Sequence, residues 1–152
     1  MENINDLNKL MEVIGIVISS HGGVIYPKAK LVKLLYLIDI EFAKNYGNRI
    51  TKATYKSYFF GPYSDDIDRA IDQLKKLELI DIDKNFSLCP EERYYKIKLK
   101  SIPNFGTINE KEKTFVKNIA LQYRNKSLDS ILGKVYNTDE FSKTNFGEEI
   151  IL

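Results

Sequence analysis

Apolar residues recur every three or four positions over most of the chain, which is the spacing of amphipathic helices. The first such segment covers residues 5–19, with Asn5 as the expected N-cap and the glycines after His21 as the expected end. The second segment begins at Pro27 and ends at Gly47. Its wide apolar arc predicts a helix that is buried on most of its circumference. These two helices are expected to form the centre of the core.

Three more helices are expected further along the chain. Ser64 is the predicted N-cap of the third helix, and Asp65-Asp66 lies in the first turn, where the helix dipole favours negative charge. Asn109 and Glu112 have the spacing of a capping box at the start of the fourth helix. Ser127 precedes a short final helix. Each helix start therefore has its own local signal.

The apolar spacing changes after the third helix. Residues 79–83 are typical of a strand, and residues 93–100 alternate apolar side chains with a basic face. A turn-like segment separates them, so the two segments predict a β-hairpin. The expected fold class is mainly α (α+β), a helical domain with a small β-hairpin in a winged-helix-like arrangement. We expect residues 1–152 to form a single domain, because the length suits one core.

The segment before the third helix is dense in aromatic residues. Residues 51–63 are expected to form a short extended or irregular stretch that runs into a turn at Gly61-Pro62. Aromatic side chains near a loop either fill the core or contact a partner, because Tyr buries a large area at low entropy cost. The candidate partner-binding residues are Tyr58, Phe60, Gly61, Pro62 and Tyr63.

Composition narrows the class of protein only slightly. The chain has 152 residues with 23 Lys and Arg against 21 Asp and Glu, a balance that does not by itself indicate nucleic-acid binding. An apolar fraction of 43% is ordinary for a soluble globular protein. The N-terminal segment is polar and acidic rather than basic, and no apolar run is long enough to span a membrane. We therefore expect a cytoplasmic protein without membrane contact.

Residues that could carry chemistry are few. Cys89 and His21 are the single cysteine and the single histidine, so neither a disulfide within the chain nor a Cys/His zinc site can form. Adjacent residues on a helix point about 100° apart, so Asp65-Asp66 converges poorly on one metal ion. There is no P-loop or glycine-rich dinucleotide motif. We expect no catalytic residues, no metal and no cofactor, and thus a protein that is not an enzyme.

The predicted hairpin has two interpretations. In a winged-helix protein the third helix would enter the major groove of DNA, and the hairpin would lie along the phosphates. Four basic residues would then be candidate nucleic-acid contacts: Arg93, Lys96, Lys98 and Lys100. Against this, the third helix begins with carboxylates that would repel phosphate. In the second interpretation the lysines are simply solvated charges on an exposed sheet.

An ordered set of short motifs resembles a known family. Residues 30–39 read KLVKLLYLID, Tyr46-Gly47 and Ile50-Thr51 follow, and residues 58–64 read YFFGPYS. This order resembles the SocA-like antitoxin family, the Panacea domain of phage-associated proteins. The segments 128–132 and 144–150 are also similar to the end of the family pattern. The resemblance covers nearly the whole chain.

The chain departs from the family pattern at two places. Phe60 stands where the family often has Tyr before Gly-Pro, and Tyr136-Asn137 occupies the region of a frequent Thr-His pair. The resemblance implies an antitoxin that neutralises a partner toxin, often encoded nearby, by direct interaction. It implies no cofactor and no catalysis. A winged-helix DNA-binding transcriptional regulator is the alternative function, with DNA as the partner.

Overall fold

The computed structural model describes residues 3–152, which form six α-helices and five short β-strands. The mainly α, α+β fold class is confirmed. In chain order the elements are α1 (Ile4–Ser20), β1 (Val24–Ile25), α2 (Lys28–Tyr46), β2 (Lys56–Tyr58), β3 (Gly61–Tyr63), α3 (Asp65–Lys76), β4 (Ile80–Asp83), β5 (Lys96–Leu99), α4 (Glu110–Tyr123), α5 (Leu128–Tyr136) and α6 (Asp139–Ser142).

Helices α1 and α2 form the centre of the hydrophobic core. Every residue of α1 from Leu10 to Ile18 is buried, and α2 is buried from Lys28 to Ile40. Leu34 and Ile38 are completely buried and belong to one cluster with side chains from the other helices. The prediction that the second helix is buried on most of its circumference is therefore confirmed.

Most of the predicted helix ends are confirmed. Gly47 ends α2 with a positive φ of 81°, and the Ser64 hydroxyl accepts a hydrogen bond from the Ile67 amide at the start of α3. Asn109 forms the predicted capping box at the start of α4. The predicted N-cap of α1 was wrong, because Asn3 rather than Asn5 accepts the hydrogen bond that caps this helix.

The predicted hairpin after the third helix is confirmed, with different limits. Strands β4 and β5 are antiparallel, with Ile80 opposite Leu99. The strand begins at Lys96 rather than at residue 93, because Glu92–Tyr94 forms a 3₁₀ turn. The two-residue strand β1, which the sequence pattern did not predict, joins the other edge of β5. The winged-helix-like arrangement stays a prediction.

Strands β2 and β3 form a second, smaller hairpin that was not predicted. The turn lies at Phe59–Phe60 and not at Gly61-Pro62, so that prediction was wrong. Pro62 is tolerated in β3 because it lies opposite Ser57, whose backbone N–H and C=O bond to residues 147–148 on the other side. This position of the ladder needs no N–H from the proline.

The last part of the chain completes the small sheet. Ser127 caps α5 as predicted, and the short helix α6, which was not predicted, follows it. The Ile150 amide donates to the Tyr55 carbonyl oxygen at 2.7 Å, and the Ile150 side chain is buried. The segment from residue 147 to 150 therefore lies along β2 on the side opposite β3. Within residues 3–152, no helix has the length and apolar character needed to cross a membrane.

Candidate functional site

Four aromatic side chains form an exposed cluster around the tip of the β2–β3 hairpin. We call this set the aromatic surface. Its members and their exposed fractions are Phe59 (80%), Phe146 (59%), Phe60 (54%) and Tyr58 (38%). The Phe146 ring lies 4.5 Å from the Phe59 ring and 5.7 Å from the Tyr58 ring, measured between centroids. Clustered exposed aromatic rings are typical of a surface that binds another molecule.

The structure brings the five predicted partner-binding residues together on this hairpin, in two different environments. Tyr58 and Phe60 are exposed, whereas Gly61 and Pro62 are buried. Tyr63 is partly buried, and its hydroxyl donates a hydrogen bond to Asp68. Tyr58 and Phe60 can therefore touch a partner directly, and the other three shape the hairpin that presents them. Their role in binding stays a prediction.

Gly61 determines how the hairpin returns after its tip. Its φ is +93°, a backbone conformation that residues with a side chain rarely adopt. A Cβ atom at this position would lie 3.3 Å from Cε of Lys33 and 3.5 Å from a methyl carbon of Leu132. Because glycine has neither restriction, the backbone can turn sharply and lie against α2. The two phenylalanines at the tip are thereby directed outward.

A row of buried polar residues on α2 lies beneath this region. Lys33, Tyr36 and Asp39 follow one another at intervals of three, which places them along one side of the helix. We call them the polar stripe. All three are buried. A polar group that is removed from water is costly unless it finds a hydrogen-bond partner.

Each member of the polar stripe bonds to a different part of the chain. The Lys33 ammonium donates to the Pro62 carbonyl oxygen at 2.9 Å. The Tyr36 hydroxyl lies 2.8 Å from the Thr138 hydroxyl. Asp39 accepts hydrogen bonds from the Thr51 amide and hydroxyl and from the Tyr55 hydroxyl. The stripe therefore connects α2 to the hairpin, to the start of α6 and to the segment before β2.

Burial shifts the pKa values of the polar stripe and of the neighbouring Tyr55. Burial and the nearby charge of Arg93 lower the pKa of Lys33 to about 8. Burial raises the pKa of Tyr36 to about 12 and also raises the pKa of Asp39, although the Thr51 hydrogen bonds oppose the latter shift. The pKa of Tyr55 lies well above its usual value because of burial and the neighbouring Asp39. These shifts follow from dehydration of groups that have few charged partners.

Arg93 lies against the aromatic surface rather than on a basic strand face. Its guanidinium lies 3.6 Å from the ring centroid of Phe60 and 4.9 Å from that of Tyr94. Its Nε is 2.9 Å from a carboxylate oxygen of Glu91. The residue lies in the 3₁₀ turn before β5. A planar guanidinium on an aromatic ring restrains both groups, so Arg93 supports Phe60 from one side.

The three candidate lysines of the β4–β5 hairpin face opposite charges. Lys98 lies directly across from Asp81, and Lys96 lies across from Asp83. The Lys100 ammonium is 3.9 Å from a carboxylate oxygen of Asp81. Cross-strand neighbours share one face of a sheet, so these carboxylates reduce the positive potential that the sequence suggested. Their proposed contact with nucleic acid stays a prediction.

The carboxylates at the start of α3 are mostly engaged within the fold. Asp66 is buried, and it accepts a hydrogen bond from the Thr54 amide and pairs with Arg69. Asp68 lies 2.7 Å from the Lys28 ammonium. Burial raises the pKa of Asp68, which the hydrogen bond from Lys28 opposes. In residues 3–152, no group of three or more His, Cys, Asp or Glu residues is arranged to hold a metal ion.

Three residues of this region were not among the predicted site residues. Phe59 was read only as part of an aromatic run, and Phe146 is far from it in the sequence. Lys33 was not singled out, because a lysine in a helix is normally exposed. The one usable signal was the Phe59-Phe60 pair itself, since two large apolar residues before a Gly-Pro pair are unusual in an exposed loop.

Comparison with known proteins identifies a family for this chain. No curated protein and no solved structure matches the chain. The family model described as "Antitoxin SocA-like, Panacea domain" matches residues 31–141. The match begins in α2, includes the β2–β3 hairpin and ends in α6. It covers well over half of the chain. This chain therefore belongs to the SocA-like antitoxin family and carries its Panacea domain.

Proposed function

We propose that this protein is an antitoxin that neutralises a toxin by binding directly to it, without catalysing a reaction. The family membership supports an antitoxin-like role with a protein partner. The observation that supports direct binding is the exposure of the aromatic surface, with four-fifths of the Phe59 side chain open to solvent. We further propose that residues 1–152 act as one cytoplasmic domain.

The aromatic surface has the chemistry of a protein-binding site. Large aromatic side chains supply most of the energy at many protein interfaces, because they bury a large area and have few rotatable bonds. Phe59 lies at the end of a hairpin and projects from the fold, so it suits an apolar pocket in the partner. Phe146 packs against it and widens the contact area.

The surface is also held in place before a partner arrives. Arg93 stacks on Phe60, and Lys33 bonds to the Pro62 carbonyl oxygen below the tip. A preformed surface loses less conformational entropy on binding than a flexible loop. This supports tight binding by a small number of side chains.

The first experiment is an affinity capture of the tagged protein from native extract after nuclease treatment, followed by mass spectrometry. We expect a protein partner in stoichiometric amount. Expression of that partner alone should arrest growth, and expression of this protein with it should restore growth. A captured protein that is harmless when expressed alone would contradict the antitoxin role.

Matched variants locate the binding surface. Phe59→Ala and Phe146→Ala should weaken partner binding at least about tenfold each. Leu88→Ala is the control, since Leu88 is fully exposed but lies in the β4–β5 loop. All three variants should unfold at the same denaturant concentration as the unchanged protein, because the side chains are exposed. Unchanged affinity in both phenylalanine variants would remove the aromatic surface from the proposal.

A DNA-binding regulator is the second candidate function. The β4–β5 hairpin follows α3 directly and carries Lys96, Lys98 and Lys100, which favours phosphate contact. Asp81 and Asp83 on the same sheet oppose it. Retention of DNA in the capture without nuclease, with affinity that falls steeply as salt rises, would favour this candidate.

A further inference from the structure

Two lysines on α2 are buried in the same way but lie beneath different parts of the molecule. Lys30 is 5% exposed and Lys33 is 4% exposed. Each ammonium donates to one backbone carbonyl oxygen, that of Arg124 at 3.1 Å for Lys30 and that of Pro62 at 2.9 Å for Lys33. In the part of the chain from residue 3 onward, no carboxylate lies within ion-pair distance of either ammonium. Such burial is costly and needs an explanation.

The acceptor of Lys33 is a carbonyl group that the hairpin leaves free. Pro62 lies opposite Ser57, and Ser57 directs its backbone N–H and C=O toward residues 147–148. In an antiparallel pair of this kind the facing residues do not bond to each other. The Pro62 carbonyl oxygen therefore points away from β2, and the Lys33 ammonium satisfies it.

The Lys33 side chain also lies beside Gly61, the residue with which the chain leaves the hairpin turn. Its Cε atom lies so close to Gly61 that a Cβ there would be 3.3 Å away. Gly61 directly follows Phe59 and Phe60, which form the tip. One lysine side chain thus lies beside Gly61 and bonds to Pro62, the first two residues of the return strand and one to three positions from the exposed rings.

We propose that Lys33 is a positioning residue for the aromatic surface, whose ammonium group fixes the Gly61-Pro62 backbone and thereby the orientation of the Phe59-Phe60 tip. This proposal deepens the proposed function and rests on it where partner binding is concerned. An apolar side chain of the same length would fill the space but leave the Pro62 carbonyl oxygen without a donor. Charge-assisted hydrogen bonds are among the stronger ones, which suits this positioning role.

Hydrogen exchange measures the positioning without a partner. In Lys33→Met, amides of the hairpin from residue 56 to 63 should exchange about tenfold faster or more, since a hydrogen bond to a charged group is lost. Lys30→Met is the matched control, and it should leave hairpin exchange unchanged. Equal hairpin exchange in Lys33→Met and the unchanged protein would overturn the proposal, as would equal acceleration by both variants.

A chemical rescue separates the ammonium group from simple packing. Lys33→Cys is made in a Cys89→Ser background, so that one thiol remains to be alkylated in denaturant with 2-bromoethylamine before refolding. The product has an ammonium group at nearly the length of lysine. We expect slow hairpin exchange to return in the alkylated protein and not in the unalkylated one. Fast exchange in both would assign Lys33 a packing role only.

Partner capture with the same variants separates this proposal from the proposed function. Lys33→Met should reduce capture of the toxin partner, and Lys30→Met should not. If hairpin exchange rises while capture is unchanged, Lys33 still positions the hairpin but the aromatic surface is not the binding site. If hairpin exchange is unchanged, the positioning role fails whatever the capture shows.

Discussion

The hydroxyl of Tyr36 donates a hydrogen bond to the hydroxyl oxygen of Thr138, 2.8 Å away. The direction follows from Thr138, which uses its own proton on the Val135 carbonyl oxygen at 2.7 Å. The two residues are 102 positions apart in the sequence. This bond joins the middle of α2 to the junction of α5 and α6. The segment that follows α6 contains Phe146, a member of the aromatic surface.

Removal of that donor should destabilise the protein. We expect Tyr36→Phe to lower the free energy of unfolding by about 1 kcal/mol, the usual contribution of one buried hydrogen bond. Urea denaturation measures the change. Tyr136→Phe is the control, because the Tyr136 side chain is exposed and its variant should differ by less than about 0.5 kcal/mol. Equal losses in both variants would contradict the role of the Thr138 contact.

The Asp39 carboxylate should matter more, since it accepts three hydrogen bonds in a fully buried site. Asp39→Ala leaves the Thr51 amide, the Thr51 hydroxyl and the Tyr55 hydroxyl without an acceptor. We expect the free energy of unfolding to fall by about 3 kcal/mol or more. Asp72→Ala, on the exposed side of α3, should change it by less than about 0.5 kcal/mol. A similar stability of both variants would show that other groups replace the carboxylate.

Two glycines should respond to alanine in opposite directions. Gly61→Ala places a side chain at a φ of +93° and close to Lys33, so we expect a loss of about 1–2 kcal/mol. Gly133→Ala lies in α5 with no atom within 4 Å of the new Cβ, so we expect a gain of about 0.5–1 kcal/mol. Thermal and urea denaturation of the two variants test this. Equal stability of the two variants would contradict the strained backbone at Gly61.

The buried ammonium of Lys33 should make stability depend on alkaline pH. Its pKa falls from 10.5 in the unfolded chain to about 8 in the fold, so the unfolded state binds the proton more tightly. Stability therefore rises with pH between these two values. Relative to Lys33→Met, the unchanged protein should gain about 3 kcal/mol between pH 7 and 10.5. Urea denaturation of both proteins across this range measures the difference, and a constant difference would contradict the shifted pKa.

The helices could be predicted from sequence because their signals are local. Gly47, Ser64 and Asn109 each act on backbone groups within four residues, and each forms the predicted cap. The β2–β3 hairpin was missed because its strands have three residues each. Pro62 in particular was assigned to a turn. Nothing near it in the sequence reveals that Ser57, the residue opposite it in β2, bonds to residues 147–148 rather than to Pro62.

The candidate site was only partly predictable for a related reason. Tyr58 and Phe60 were named from the aromatic run, but the sequence does not show which rings are exposed. Phe146 contacts Phe59, although the two residues lie far apart in the sequence. Lys33 is a charged residue in the core, which contradicts the ordinary preference of lysine for the surface. Contacts between distant segments determine all of these features.

The pairing of residues 147–150 with β2 also bears on when the protein becomes functional during its synthesis. A ribosome produces residues 56–63 early, but Ser57 receives its hydrogen-bond partners only after residues 147–148 have been made, and Tyr55 only after Ile150. Translation adds about 5–20 residues per second, so several seconds separate the two events. A nascent chain that stops before residue 146 lacks both Phe146 and one side of the small sheet. The aromatic surface is therefore completed only after Phe146 has been made, several seconds after the tip of the β2–β3 hairpin.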